Sequence, residues 1–351
     1  MAISGTGTAA DPYIPTTFAD FRTCVGRTGA YVCLTQDIDV SKDSVYKTGI
    51  TSSLSIKCRY IYGTARTYSS TTAYAVGNKC TYNDGEHGLC TYECIQACTG
   101  IDVSNTEYWT RGGNPTKKIT GLIITSSIYF NFDQSSNEIT LSNLFFESCV
   151  FDKTTYNDPM MYGQPSVSYA NIPMTMNDCS FSMFYNQHSY YNYITNNATF
   201  KFNRCSIYIK FSHSISGNQS GSWDAVGYST RFNNCTIDMS DFCFNTGTSY
   251  KFMCGLVNSS VHVVCDVAYS SNGNWIQFDG TNSFFAVTVR NVYGNYYNEV
   301  VFNGTFSGTN IIDKDVMGNM SLYSNIQNLV AGTTEQCKDK DWLISKGFFT
   351  S

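Results

Sequence analysis

Four closely spaced cysteines are the first residues in this chain that could do chemistry. Cys80, Cys90, Cys94 and Cys98 follow the spacing C-x9-C-x3-C-x3-C. Cysteine thiolates bind zinc well, but structural zinc sites are typically built from paired C-x2-C knuckles, and this spacing contains none. Disulfides or simple buried thiols are therefore favoured over zinc, and the sequence predicts no metal site.

The redox state of the thiols is the next question, because the chain contains fifteen cysteines. The first residues, Met1–Gly7, contain neither a charged region nor an apolar run, so they predict no secretory signal. An odd number of scattered cysteines without such a signal favours reduced thiols in a cytoplasmically made protein. Free cysteine is a small, readily buried hydrophobe, so most of these residues are expected to serve packing.

Acid–base residues for glycan cleavage are sparse. Glycoside hydrolysis needs two carboxylates facing each other, roughly 5–9.5 Å apart. Asp238 and Asp241 are three residues apart, so an extended strand points them to opposite faces. The remaining candidates have no partner in a recognisable pattern: Asp224, Asp266, Asp279, His188, His213 and His262. The sequence thus predicts no catalytic residues and favours a non-enzymatic protein, although a groove assembled from distant segments stays open.

Aromatic residues near the cysteines offer a different chemistry, which is sugar binding. Pyranose rings stack on exposed aromatic faces, while nearby polar groups bind their hydroxyls. Tyr82, Tyr92, Tyr108 and Trp109 are the candidate glycan-binding residues. The alternative is that Tyr92 and Trp109 form the core of a small module.

A repeated strand motif predicts the framework of most of the chain. Four segments align, with Cys149, Cys179, Cys205 and Cys235 at the same place, and Leu256–Val261 is a weaker fifth copy. Residues 289–292 and 301–306 are candidates for degenerate copies. Each motif alternates apolar and polar residues, as a half-buried strand does. Stacked coils of 24–30 residues are expected to place the four cysteines in one ladder.

We therefore predict an all-β fold, a right-handed parallel β-helix with a short N-terminal capping helix and a small inserted β module. The helix is expected within residues 17–25, with Thr16 or Thr17 as N-cap, because apolar residues follow helical spacing there. The predicted divisions are an N-terminal cap with the first coils (1–63), the inserted module (64–116), the β-helix (117–330) and a closing segment (331–351).

The chain ends resemble those of known solenoid proteins. Gly5–Ile14 followed by a short helix and strands, together with Thr334–Asp339 and Trp342–Phe348 at the other end, resembles β-helix proteins of bacteriophage virions. Some bacterial surface adhesins begin in a similar way. The phage resemblance implies a fibre, spike or capsid decoration that forms a homotrimer and contacts other virion proteins.

The inserted segment carries a second resemblance. Ala73–Tyr82, then Tyr92–Ala97 and then Trp109 are similar to the small carbohydrate-binding modules of families 5 and 12. The resemblance implies binding of host or mucosal glycans. Two departures stand against it, since Cys98 replaces a common histidine and Asn83–Cys90 enlarges a hairpin.

Composition excludes several functional classes. The net charge is −5 and no basic stripe occurs, which argues against a nucleic-acid partner. No run of about 18 apolar residues predicts a membrane helix, and no motif indicates a cofactor. The preferred hypothesis is a glycan-binding structural protein on the virion surface, made in the bacterial cytoplasm. A tailspike polysaccharide depolymerase and a bacterial adhesin are the alternatives.

Overall fold

The structure is a computed structural model of the 351-residue chain. It describes residues 3–50, 54–64, 66–83, 89–112, 117–124, 128–132, 138–152, 161–165, 173–186, 195–196, 199–211, 230–245, 251–268, 274–293, 300–316, 320–322 and 328–348. Three candidates from the sequence, His188, His213 and Asp224, lie outside the described residues.

Two long parallel sheets run side by side along the chain. The first sheet contains Tyr31–Leu34, Tyr60–Gly63, Ile139–Ser142, Pro173–Asn177, Thr199–Asn203, Arg231–Asn233, Lys251–Val257, Asn274–Thr281, Val300–Asn303, Phe306–Ser307 and Met320–Leu322. The second sheet contains Ile38–Asp39, Lys117–Thr120, Ile123–Ile124, Leu144–Asp152, Ser180–Asn186, Ser206–Phe211, Thr236–Asn245, Ser260–Ala268, Phe284–Tyr293, Asn310–Asp313 and Leu329–Gly332. The chain visits the two sheets in alternation, so each pair of strands belongs to one coil. This confirms the predicted parallel β-helix.

A shorter third sheet closes part of the solenoid. It contains Leu54–Ile56, Ile128–Phe132, Met161–Pro165 and Thr195–Asn196, all parallel. Short 3-10 helices lie at Val40–Lys42 and Lys314–Val316. The core between the sheets includes stacked rings, for example Phe146 on Phe181 at 5.3 Å and Phe202 on Phe232 at 4.9 Å between centroids. In-register coils place like side chains over each other, so the core repeats along the axis.

A short helix, Phe18–Val25, covers the N-terminal end of this core. Its N-cap is Thr17, whose side chain accepts a hydrogen bond from the Asp20 backbone N–H. One face of the helix is buried in the main core and carries Phe18, Phe21, Cys24 and Val25. Because an open solenoid end would expose this core, the helix acts as a lid, and the predicted N-terminal helix is confirmed.

The first strand of the solenoid is covered by the N-terminal segment. The Tyr13 N–H donates to the Tyr31 carbonyl at 2.9 Å, and the Tyr13 carbonyl accepts from the Cys33 N–H at 2.8 Å. An uncovered edge strand is a template for pairing with another chain. The Tyr13 segment therefore satisfies backbone groups that would otherwise face solvent.

One residue in the left-handed conformation makes the corner between the two long sheets. These corner residues have φ between 47° and 66° and are Asn143, Asp178, Arg204, Asn234, Asn258, Asn282, Gly308 and Asn328. Asparagine predominates because its short polar side chain tolerates this region better than most residues. The backbone N–H groups of corner residues donate hydrogen bonds to the next coil. For example, the Arg204 N–H donates to the Asn233 carbonyl at 2.8 Å.

After the corners Asn234, Asn258 and Asn282, the next residue carries a small side chain that accepts a hydrogen bond from the preceding coil. The Cys205 N–H donates to Cys235 Sγ at 3.4 Å, and the Cys235 N–H donates to Ser259 Oγ at 3.0 Å. The pattern continues one coil later, where the Ser259 N–H donates to Ser283 Oγ at 3.4 Å. The ladder thiols thus act as hydrogen-bonding groups as well as packing groups.

The predicted place of Cys149 in this ladder is wrong. Ser142 pairs with Asn177 and Phe145 pairs with Ser180, so Asn143 is the corner of that coil and Leu144, not Cys149, stands at the ladder position of Cys179. A register shift after Phe146 places Cys149 opposite Met183. The degenerate copies expected at 289–292 and 301–306 are not corners either, since the corners there are Asn282 and Gly308.

The inserted segment leaves the solenoid between a strand of the first sheet and a strand of the second. The strand Tyr60–Gly63 belongs to the first sheet and Lys117–Thr120 to the second, and residues 64–116 stand between them. Backbone packing is tight at this point, because a Cβ on Gly63 would lie 2.2 Å from the Asn143 carbonyl oxygen. The segment has strands at Arg66–Thr67, Ala73–Tyr74, Lys79–Asn83, Leu89–Cys94, Cys98–Thr99 and Trp109–Gly112, and it has its own core.

Two helices, Thr334–Lys338 and Lys340–Ser345, end the described chain. They contribute Cys337, Leu343 and Trp342 to a small apolar cluster with Ile311 and Phe284 of the second sheet. Ile311 pairs with Phe284, and Phe285 beside it points into the main core, so Ile311 faces outward. The helices therefore pack on the side of the last coils.

Candidate functional site

The outward side chains of the first sheet form two columns parallel to the solenoid axis. Side chains alternate along a strand, and in-register strands place each outward residue over its counterpart. The first column contains Tyr31, Tyr60, Thr140, Thr175, Lys201, Arg231, Gly255 and Asp279. The second contains Cys33, Tyr62, Ser142, Asn177, Asn203, Asn233, Val257, Thr281 and Ser307. One face thus combines aromatic, amide, hydroxyl and charged groups.

Three tyrosines form an aromatic cluster at the N-terminal end of this face. The Tyr60 ring lies 6.2 Å from Tyr31 and 4.8 Å from Tyr62, between centroids. The Tyr60 hydroxyl donates to Ser142 Oγ at 3.0 Å. All three rings are half-buried, so each retains some surface for a ligand. We refer to Tyr31, Tyr60 and Tyr62 as the tyrosine cluster.

Partial burial also affects the ionisation of the cluster. Burial, and then the neighbouring Cys33 thiol, raise the pKa of Tyr62 to about 12. The phenol is therefore protonated at neutral pH and can donate a hydrogen bond. Sequence reasoning missed this cluster, although the alternation in Tyr31–Leu34 and Tyr60–Gly63 would have shown it once the two strands were aligned.

An asparagine ladder continues the face. Asn203 donates to Asn177 Oδ1 at 2.8 Å, and Asn233 donates to Asn203 Oδ1 at 2.8 Å. At the adjacent corner, Arg204 binds Asp178 through Nε at 2.7 Å and Nη2 at 2.8 Å. These bonds connect successive coils, so they hold the outward side chains in one arrangement.

A groove of about 360 Å³ lies farther along the same face. We call it the glycine groove, and its lining residues are Arg231, Gly255, Leu256, Val257, Asp279, Gly280, Thr281, Thr305 and Ser307. Its volume is within the range of small-molecule sites. Gly255 lies between Arg231 and Asp279, its neighbours in the coils on either side, and its lack of a side chain leaves room for the side chain of Arg231.

The walls of the glycine groove differ in charge. The Arg231 side chain lies over Gly255, since a Cβ there would meet Arg231 Cδ at 2.5 Å and Nε at 2.8 Å. On the other side, Asp279 Oδ1 accepts from the Thr305 N–H at 3.2 Å. The Thr281 and Ser307 hydroxyls are 2.8 Å apart beside it. The groove therefore has a guanidinium at one end and a carboxylate with hydroxyls at the other.

The aromatic candidates of the inserted module separate into two groups. Trp109 is 1% exposed, and its Nε1–H donates to the Ile101 carbonyl at 3.1 Å. Tyr92 is 8% exposed. These two rings fill the core of the small module, as the alternative interpretation expected, and present no face on which a sugar could stack. Tyr82 and Tyr108 are half-buried at the edge of the same core, so they retain exposed surface.

The second sheet contains an acid–base pair that the sequence did not connect. Asp238 and His262 are in register in adjacent coils, and Asp238 Oδ1 lies 3.7 Å from His262 Nδ1. Their side chains are 44% and 47% exposed. The sequence shows no recognisable pattern around His262, and the coils bring Asp238 close to it although the two residues are far apart in sequence.

The Cys80 and Cys94 thiols of the module are held in the protonated form. Burial raises the pKa of Cys80 to about 12, and burial also raises the pKa of Cys94. No group of three or more His, Cys, Asp or Glu side chains that could hold a metal ion occurs in the described part of the chain.

No helix among the described residues is long and apolar enough to cross a membrane. No protein-family model, curated protein or solved structure matches this chain.

Proposed function

We propose that this chain is a non-enzymatic structural protein of a bacteriophage virion, displayed on the particle surface, whose first sheet binds glycans. The observation that carries the proposal is the outward face of that sheet. It begins at the tyrosine cluster, continues through the asparagine ladder and reaches the glycine groove. Aromatic faces with adjacent hydroxyl and amide groups are the chemistry that carbohydrate binding requires.

The solenoid suits a display role for a mechanical reason. Each coil contacts only its neighbours, so an extended array has a long, regular side surface. Bonds between coils, such as Arg204 to Asp178, limit side-chain motion on that surface. A preordered surface loses less conformational entropy when a ligand binds. A polymer with repeated sugar units fits a surface whose own repeat is the strand spacing, roughly 4.8 Å.

The inserted module contributes fewer candidate glycan-binding residues to the proposal than its sequence predicted. Only Tyr82 and Tyr108 of its four candidate residues have exposed surface for a sugar ring. The module contributes binding through these two residues, or it contributes protein contacts. A homotrimer, contacts with other virion proteins and production in the bacterial cytoplasm complete the proposal, and they rest on the resemblance of the chain ends.

A glycan array tests the proposal. The purified full chain is applied to bacterial surface and mucosal glycans, alongside Tyr60→Ala, which removes the centre of the tyrosine cluster. We expect up to about tenfold weaker binding of the variant, since stacking on one ring contributes roughly that much. Tyr208→Ala is the matched control, because Tyr208 is a 44% exposed tyrosine on the second sheet. Equal loss in both variants, or no binding by the wild type, contradicts the proposal.

A second candidate function, polysaccharide cleavage, is favoured by the Asp238–His262 pair. A carboxylate beside Nδ1 orients an imidazole so that Nε2 can act as a general base. The separation of 3.7 Å is longer than a hydrogen bond. Incubation with host polysaccharide, with assays for reducing ends and unsaturated sugars, tests this function. Cleavage that His262→Ala abolishes would establish it in place of passive binding.

A further inference from the structure

We propose that the glycine groove binds a carboxylate-bearing sugar, with the Arg231 guanidinium on the carboxylate and Asp279 on the ring hydroxyls. The inference rests on the proposed glycan binding and specifies the class of sugar. It is carried by the order of groups across three coils, Arg231, Gly255 and Asp279, which are in register.

The spacing of these groups suits one sugar ring. Arg231 and Asp279 are two coils apart, which corresponds to roughly 9–10 Å between backbones. The Arg231 side chain crosses part of that distance, because it lies over Gly255, where a Cβ would meet its Cδ at 2.5 Å. The sugar ring is therefore placed beside the guanidinium, towards the end of the groove lined by Gly280, Thr305 and Ser307. A larger side chain at position 255 would displace the arginine from this wall.

The two walls recognise different parts of the ligand. A guanidinium binds a carboxylate with two parallel hydrogen bonds, which a neutral sugar cannot accept as strongly. A carboxylate such as that of Asp279 accepts only, so it selects hydroxyl donors and repels a second acid. Thr281, Thr305 and Ser307 line the same end and add hydroxyl groups. This polarity orients an acidic sugar with its carboxylate towards Arg231.

Contacts around Arg231 place the guanidinium in the groove. Nη1 donates to the Thr230 carbonyl at 2.9 Å, and Thr230 is fully buried. The same carbonyl accepts from the Gly255 N–H at 3.1 Å. The arginine is therefore tied to the backbone that lines the groove. A guanidinium has five N–H donors, so this bond is compatible with a bidentate contact to a ligand.

Oligogalacturonate and its methyl ester are the probes for this site, because they differ in charge and share the ring. Binding of both to the full chain is measured by calorimetry. We expect the wild type to prefer the acid by at least about tenfold. Arg231→Gln should abolish the preference by weakening binding of the acid only. Gly255→Ala should reduce it too, because its methyl group displaces the arginine side chain.

Lys210→Gln is the matched control. Lys210 is an exposed lysine on the second sheet, outside the proposed binding face and the groove. Removing its charge tests whether the preference is a general electrostatic effect. The inference is overturned if the acid and the ester bind equally, or if Lys210→Gln reduces the preference as much as Arg231→Gln.

A glycan array distinguishes failure of the inference from failure of the proposed function. Neutral glycans that bind through the tyrosine cluster, with no preference for acids, would contradict the groove assignment alone. Absence of binding to neutral and acidic glycans would contradict both. Arrays of neutral and uronic-acid glycans should show stronger signals for the acidic members, and Arg231→Gln should equalise them.

Discussion

The backbone N–H of Cys205 donates to Sγ of Cys235, its counterpart in the next coil, at 3.4 Å. The corner that precedes each of these residues has left-handed backbone, which interrupts the regular strand ladder. A side chain in the next coil therefore accepts the N–H. Hydrogen bonding with the Cys179 thiol, and burial, raise the pKa of Cys205 to about 12, so its thiol is protonated at neutral pH.

Cys235 should tolerate serine better than alanine. Serine retains an acceptor for the Cys205 N–H. Ser259 shows that a serine can do this, because its Oγ accepts the Cys235 N–H one coil later. Alanine leaves that buried N–H unsatisfied and should lower the free energy of unfolding by about 1–3 kcal/mol. Urea denaturation of both variants measures the difference. Equal destabilisation by the two substitutions would mean that volume alone determines this position.

The corner residue Asn234 should accept glycine and resist alanine. Its φ is 53°, and a Cβ without a compensating polar group is strained in that region. Asn234→Ala is expected to cost about 1–2 kcal/mol, while Asn234→Gly should stay close to the wild type. Thermal melting of both variants tests the expectation. A more stable alanine variant would contradict the left-handed corner.

Trp109 should support the inserted module without binding a sugar directly. Its ring fills the module core, so Trp109→Ala should cost about 3–5 kcal/mol in the stability of that module. Hydrogen exchange should then increase in residues 66–83 and 89–112, while the strands at 199–211 keep their protection. Tyr108→Ala, at a half-buried neighbour, is the control and should change exchange much less.

Ionisation of Tyr62 should lower the free energy of unfolding in alkaline solution. The folded protein raises its pKa from about 10 to about 12, because burial disfavours the phenolate. The contribution of the neutral Tyr62 phenol to the free energy of unfolding is fully present below about pH 10 and is lost as the pH rises towards about 12. Urea unfolding across this range, compared with Tyr62→Phe, measures the effect. An unchanged pH dependence in the phenylalanine variant would assign it to other groups.

Several features could be predicted because they depend on local order in the sequence. Alternating apolar and polar residues around Cys179, Cys205 and Cys235 predicted stacked coils, since a period of two specifies a half-buried strand. Helical spacing from Phe18 to Val25 predicted the lid. The Gly63–Lys117 junction could be predicted because the strands on either side of the insertion show their own alternating pattern and would follow each other if the insertion were removed.

Register and burial could not be predicted. Cys149 has the motif of a ladder residue, but the shift after Phe146 places it opposite Met183. Trp109 has the residue type of a sugar-stacking face, but its ring is 1% exposed. Both outcomes depend on which neighbour lies in the next coil or across a small core, and a local pattern does not contain that information.

The sequence by itself determined the kind of fold, because side-chain alternation and helical spacing are properties of neighbouring residues. Only the tertiary structure decided what the face of the first sheet contains. Coiling brings Tyr31 to Tyr60, Asp238 to His262, and Arg231 to Gly255 and Asp279, across intervals of 24 to 29 residues per step. These contacts follow from the length of each coil and from strand register, which are decided by packing between distant segments.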